Sequence, residues 1–110
     1  MGRRVVNRGQ LYLCDFGTPI GHDPGFRRPA VVVSPSELNR NGIPIVLPVT
    51  RTRRGYPTHV ELDGVLPVVS YAQCELIRAV SADRLIRPVA LLDAAHLAKI
   101  ESILRRILDL

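Results

Sequence analysis

Apolar and polar positions alternate with period two in several short stretches of the chain, and a helical period appears only at its end. Gln10-Leu11-Tyr12-Leu13-Cys14-Asp15 predicts a first strand, with Leu11 and Leu13 on one face and Tyr12 and Cys14 on the other. Ala30 to Val33 is an apolar run rich in β-branched residues, the pattern of a strand covered on both faces. Between them, the thirteen residues from Phe16 to Arg28 hold three glycines and two prolines and show no period. A loop that long in so small a domain is usually functional or mobile. Ser34 to Gly42 has room for one helical turn, with Ser34 as cap, Pro35 at the first helical position and Gly42 as the stop. Ile43 to Val49 reads as a third strand, its ends weakened by Pro44 and Pro48, each of which removes a ladder donor.

Thr58 to Leu62 and Val65-Leu66 flank Asp63-Gly64, a pairing that supplies positive φ for a type I′ turn, so a hairpin is expected there. Ser70 to Val80 alternates at Ala72, Cys74, Leu76 and Val80, yet Ala-Gln-Cys-Glu-Leu-Ile-Arg-Ala would also make a fair helix. It is read as a strand because the neighbouring segments need a sheet to pair with. Ser81 to Leu85 predicts a turn, and Ile86 to Leu91 a last short strand broken by Pro88. Beyond the capping residue Asp93 the period becomes 3.6. Leu97, Ile100, Ile103, Leu104, Ile107 and Leu108 form a stripe opposite Lys99, Glu101, Arg105 and Arg106. The pattern predicts a mainly β fold with α, a small barrel closed on one side by this helix. The stripe is wide for so small a sheet, which leaves part of it for a second subunit.

Length allows one domain: 110 residues bury a single core, with residues 1–8 as a basic arm, loose at its start, and 9–110 as the fold. Charge changes the picture more. Fifteen Lys+Arg against ten Asp+Glu give +5 and a pI of about 10.0, and every cation but Lys99 is an arginine. A phosphate-bearing or acidic partner would suit that choice of arginine, although a charge-biased soluble surface accounts for it equally well. Cys14 and Cys74 are isolated in apolar surroundings, as buried reduced thiols of a cytosolic protein are. No signal-peptide or membrane-span pattern is present, so a cytoplasmic protein without membrane contact is expected.

Two basic loops carry the candidate chemistry. Gly21 to Phe26 leads into Arg27-Arg28-Pro29 at the mouth of the second strand. Arg28 presents a rigid fork of five donors suited to gripping a phosphate, and Pro29 holds its backbone extended. Thr50-Arg51-Thr52-Arg53-Arg54-Gly55-Tyr56-Pro57 is the most basic segment. It combines cations for backbone phosphates with an aromatic for a stacked base, while a solvated hairpin loop is the plain alternative. Ester and peptide hydrolysis are poorly supported, for there is no nucleophile elbow, no cysteine beside a histidine and no clear carboxylate pair. His22, His59 and His96 stand at no ligand spacing, so neither a metal nor another cofactor is expected. RNA cleavage escapes these exclusions because the ribose 2′-hydroxyl, the nucleophile, lies in the substrate. Arg28 and Thr50, each at a strand end beside a basic loop, are the candidate pair for the phosphate.

Arg8-Gly9-Gln10-Leu11-Tyr12, Gly21 to Ser34, Leu47-Pro48-Val49-Thr50, Gly55 to Leu62 and Ile77-Arg78-Ala79-Val80 stand in the order and spacing of MazF/PemK-type toxins, the RNA-cutting halves of toxin–antitoxin pairs, which the chain resembles over nearly its whole length. The resemblance implies a homodimer of small SH3-like β-barrels, a fold shared with CcdB-type gyrase poisons. It also implies metal-independent endoribonuclease cleavage of single-stranded RNA at short motifs, and inhibition by a cognate acidic MazE-like antitoxin through which alone operator DNA would be met. Arg28, in an Arg-Pro pair, matches the family's catalytic arginine and Thr50 its catalytic threonine. Glu75 and Arg78 match polar positions near the active-site groove, and with His22, Arg27, Arg51, Thr52, Arg53, Arg54 and Tyr56 they complete the expected RNA-binding set. His22 stands where many relatives carry serine, which bears on proton transfer or RNA contact at that loop position; Leu76 stands where glutamine is common and points to altered substrate choice. The readings from other classes are a non-catalytic gyrase poison and a basic nucleic-acid-binding barrel without activity.

Overall fold

The computed structural model describes residues 5–110. Six strands follow one another across an antiparallel sheet in the order β4 (His59–Glu61), β5 (Tyr71–Gln73), β3 (Ile45–Thr50), β2 (Arg27–Val32), β1 (Gln10–Asp15) and β7 (Leu85–Leu91). A seventh, β6 (Arg78–Ala79), pairs with the near end of β3. The end strands β4 and β7 do not pair with each other, so the expected barrel is an open sheet closed by packing rather than by a continuous ladder.

Alternation along the central strands buries both faces. Leu11, Val31, Leu47 and Val49 point to one side, where Val60, Leu62, Ala72, Cys74, Leu92 and Ile100 complete a core. Tyr12, Cys14, Ala30, Val32 and Val46 point to the other, against Val6, Phe16, Val80 and Leu85. The face assignment of Leu11 against Tyr12 and Cys14 is therefore as the sequence pattern predicts. Burial pushes the Cys14 thiol up to about 11 and the Cys74 thiol up to about 12, so both stay protonated and inert at neutral pH.

The C-terminal helix α2 (Ala94–Leu108) begins as expected, with the Asp93 carboxylate accepting from His96 N at 2.8 Å. Ile100 is buried, and Leu97, Ile103 and Leu104 pack on the first core, whereas Ile107 and Leu108 at the far end remain exposed. The N-terminal segment is tied down from Val5 onwards. Val6 is buried, Asn39 Nδ2 donates to its carbonyl at 2.9 Å, and Arg8 bridges the Val33 carbonyl and Glu101. The expected looseness of the first residues falls outside the described range.

Three local expectations are corrected. The partner of β4 is β5, with Val60 opposite Ala72, and not Val65-Leu66. Asp63-Gly64 does turn the chain, with Gly64 at φ 75°, but Val65 and Leu66 pack on the core from a loop that the Leu62 N–H to Ser70 carbonyl bond closes at 2.7 Å. Second, Ser70 to Val80 is not one strand: Cys74–Leu76 forms a 3-10 turn between β5 and β6. Ala72 pairs with Val49 and Arg78 with Val46, so six steps on this segment answer three on β3, and the turn absorbs the excess. The strand and helix signals that overlap there were both real. Third, Pro35 rather than Ser34 is the cap of α1 (Ser36–Arg40). The Ser34 hydroxyl is used elsewhere, bonded to the Asn39 side chain and accepting from Ile45 N at 2.9 Å.

Candidate active site

Arg28 and Thr50 come together at one end of the sheet. Ala30 lies opposite Pro48 in the β2–β3 ladder, so two residues further out the register sets Arg28 across from Thr50. Both line a cleft of about 400 Å³ whose other polar walls are Arg27, Arg51, Ser70 and Arg87, and whose floor includes Leu13, Pro29 and Val49. No carboxylate lines it. Arg27 stands 3.9 Å from Asp15 in an exposed pair that neutralises little, and Arg28, Arg51 and Arg87 have no carboxylate partner among the described residues. The cleft is thus a concentration of uncompensated positive charge over an apolar floor.

The approach to β2 fixes Arg28. Phe16 N donates to the Phe26 carbonyl at 2.9 Å and Phe26 N to the Gly17 carbonyl at 2.6 Å, which pinches the long loop at its base. The Asp15 carboxylate caps this turn by accepting from Gly17 N at 2.9 Å. Arg28 Nε then donates to the Gly25 carbonyl at 3.2 Å, which leaves the two terminal nitrogens of the guanidinium as a fork towards the cleft. Gly25 is needed for space, because a Cβ there would lie 2.5 Å from the Pro19 ring. On the opposite wall, Thr50 Oγ1 accepts from Thr52 N at 3.1 Å; its own proton remains available to donate outward.

Of the other expected residues, Arg27 and Arg51 line the cleft. Thr52, Arg53, Arg54 and Tyr56 are exposed on the loop that leaves it, and His22 is exposed on the β1–β2 loop outside the lining. Glu75 is engaged elsewhere, accepting from Thr58 Oγ1 at 2.8 Å and paired with His59 Nε2 at 2.9 Å, beneath an edge contact between the Tyr56 and His59 rings. Desolvation raises the Glu75 pKa, but bonds from Thr58, its own backbone and His59 outweigh it and hold the carboxyl below its usual value. Arg78 sits on β6, its guanidinium 5.9 Å above the Phe16 ring, and does not line the cleft. Arg87 is the residue the sequence reading missed. It lies opposite Leu13, which lies opposite Pro29, and the signal was present as a second Arg-Pro pair, Arg87-Pro88.

A family described as "PemK-like, MazF-like toxin of type II toxin-antitoxin system" matches residues 7–108. Endoribonuclease MazF9 of Mycobacterium tuberculosis (strain ATCC 25618 / H37Rv) is 34% identical over 116 aligned positions, covering 96% of this chain and 98% of that protein. The crystal structure of MazF from Deinococcus radiodurans superposes with a TM-score of 0.88 at 30% identity, covering 98% of this chain and 100% of that one. A mycobacterial endoribonuclease in complex with its cognate antitoxin gives 0.81 at 28% identity over 96% of each chain. This small β protein with a basic cleft at one end of its sheet belongs to the PemK/MazF family of toxins of type II toxin–antitoxin systems. The resemblance read from the sequence is borne out, and with it the endoribonuclease toxin over the gyrase poison. Among the described residues, no helix is long and apolar enough to cross a membrane.

Proposed function

We propose that this chain cleaves single-stranded RNA in the cleft between β2 and β3, with Arg28 and Thr50 on the scissile phosphate. The observation that carries the reading is the convergence of these two side chains, from distant parts of the sequence, on a cleft lined by four arginines and no carboxylate. The ribose 2′-oxygen attacks phosphorus and the bond to the 5′-oxygen breaks. Charge builds on the non-bridging oxygens as it does so, and the Arg28 fork and the Thr50 hydroxyl are placed to hold it. A guanidinium keeps its proton, so Arg28 is a poor base and acts through its charge and by donating a hydrogen bond to the departing 5′-oxygen, which takes its proton from water or from a protonated phosphate oxygen. His22 stands outside the cleft lining, so the 2′ proton passes to water or to a phosphate oxygen. The products are a 2′,3′-cyclic phosphate, or its hydrolysed 3′-phosphate, and a 5′-hydroxyl.

Arg51, Arg53, Arg54 and Tyr56 extend the binding track along the substrate, and Arg87 joins them as a phosphate contact. An acidic segment of a MazE-like antitoxin would cover the same charge. The mycobacterial relative solved with its cognate antitoxin supports such a partner. Exposed Ile107, Leu108 and Leu110 beyond the core-facing part of α2 support a second copy as the remaining partner. Incubating the purified protein in EDTA with a long single-stranded RNA and mapping the ends tests the activity. Discrete cuts with 5′-hydroxyl ends, absent with Arg28→Ala, are expected; intact RNA, or cleavage that survives Arg28→Ala, would refute the assignment.

A further inference from the structure

Phe26 is the one described residue other than glycine, apart from the penultimate Asp109, with positive φ (58°), and 66% of it is exposed. A bulky residue in the left-handed region is a strained outlier. Burial gives nothing back here. The backbone reason for the conformation is clear. The Gly25–Phe26 peptide donates its N–H to the Gly17 carbonyl at 2.6 Å and turns its carbonyl to Arg28 Nε at 3.2 Å, so positive φ at this position is part of what aims Arg28. Glycine would do that without strain. The ring must therefore be explained by something outside the chain.

Its neighbours say what. Phe26 directly precedes Arg27 and Arg28, which line the phosphate cleft, so a polynucleotide seated there passes bases within reach of the ring. We infer that Phe26 is a stacking platform for an unpaired base of the RNA next to the scissile phosphate, and that it sets the base preference on that side of the cut. The inference rests on the function proposed above. Every base offers a π-face, and purines offer the larger one, so the preference is for a purine over a pyrimidine.

The substitution Phe26→Gly separates the two roles, because it keeps the backbone that orients Arg28 and removes only the ring; Phe26→Trp keeps a platform. Cleavage kinetics and cut-site distribution on a long single-stranded RNA are measured for these two variants and the native chain. Binding of a 2′-O-methyl oligoribonucleotide pool, which cannot be cut, is measured alongside. The expected result for Phe26→Gly is a roughly 5- to 150-fold rise in KM and in Kd for the pool. The cut-site preference should relax, and thermal stability should be unchanged or higher; Phe26→Trp should retain native values. Native affinity and cut-site distribution in Phe26→Gly would overturn the inference, as would a loss of dimer mass confined to that variant, which would make the ring an interface residue. Failure of the native chain to cut refutes the proposed function separately, since the uncut pool still reads the ring.

Discussion

In the proposed reaction Arg28 works by shape as much as by charge. Its Nε is anchored on the Gly25 carbonyl at 3.2 Å, which leaves a planar pair of nitrogens in fixed orientation. Lysine would bring the charge without the fork. Arg28→Lys is therefore expected to lose cleavage by on the order of 100-fold or more, with RNA affinity much less affected; this is checked by comparing kcat with KM on one substrate. At this scale the sequence spoke well wherever a residue's type constrained its role. Arg28 before Pro29 and Thr50 at a strand end were legible because each sits at the end of an apolar run. Arg87 was passed over although it too precedes a proline, because its strand is short and only the register, which sets it opposite Leu13, brings it to the cleft.

Between residue and element, the β1–β2 loop turns sequence into position. Gly25 packs directly under Pro19, so Gly25→Ala, whose Cβ would meet the Pro19 ring at 2.5 Å, must shift the peptide that holds Arg28. The expected outcome is a loss in kcat on the order of 100-fold with native secondary structure by circular dichroism, the cost of a small displacement of the group proposed to hold the phosphate. A second device ties the Asp63-Gly64 turn to α2. His96 lies between Asp93 at 2.7 Å and Asp63 at 3.0 Å, so each ring nitrogen faces a carboxylate. The bond to Asp63 and then that to Asp93 raise the His96 pKa above its usual 6.5 against the opposing effect of burial, and both carboxyls are lowered in turn. Because the folded pKa of His96 exceeds the unfolded one, this contribution to stability is complete below about 6.5 and is lost as pH rises through the folded value. The thermal midpoint of the native chain is expected to fall as pH rises from about 6 to about 8, below the range where the raised thiols contribute, and His96→Gln to remove that slope while leaving the midpoint lower at the acid end. Elements were legible where a strand signal was continuous, as the alternation of β1 and the apolar runs of β2 and β3 were. The hairpin at Asp63-Gly64 was misread because turn chemistry is local, whereas the partner of β4 is decided by what can cover Val60, and Tyr71–Gln73 does so from ten residues further on. The overlapping signals over Cys74–Leu76 marked a three-residue turn between two short strands, a feature that no single period describes.

Over the whole molecule, an open antiparallel sheet buried on both faces delivers four arginines to one cleft from β2, from the end of β3 and from β7. Net charge of +5 fitted a polyanionic partner and a charge-biased surface equally well; the topology gathers four of the arginines at one cleft. RNA binding is expected to weaken with salt, and Arg51→Ala or Arg87→Ala each to lower the log–log slope by about 0.7, whereas Arg105→Ala on the exposed face of α2 should leave it unchanged. The β2–β3 register sets Arg28 and Thr50 across from each other, and in the proposed reaction the two act on one phosphate. The measurement that tests it most directly is the single-turnover cleavage rate of Arg28→Ala, Thr50→Val and the double variant on one RNA. Two groups that act as a unit on a shared transition state are not independent, so the double variant should cleave about as slowly as the worse single one. Losses that multiply in the double variant would mean separate tasks at separate places, and would contradict the account.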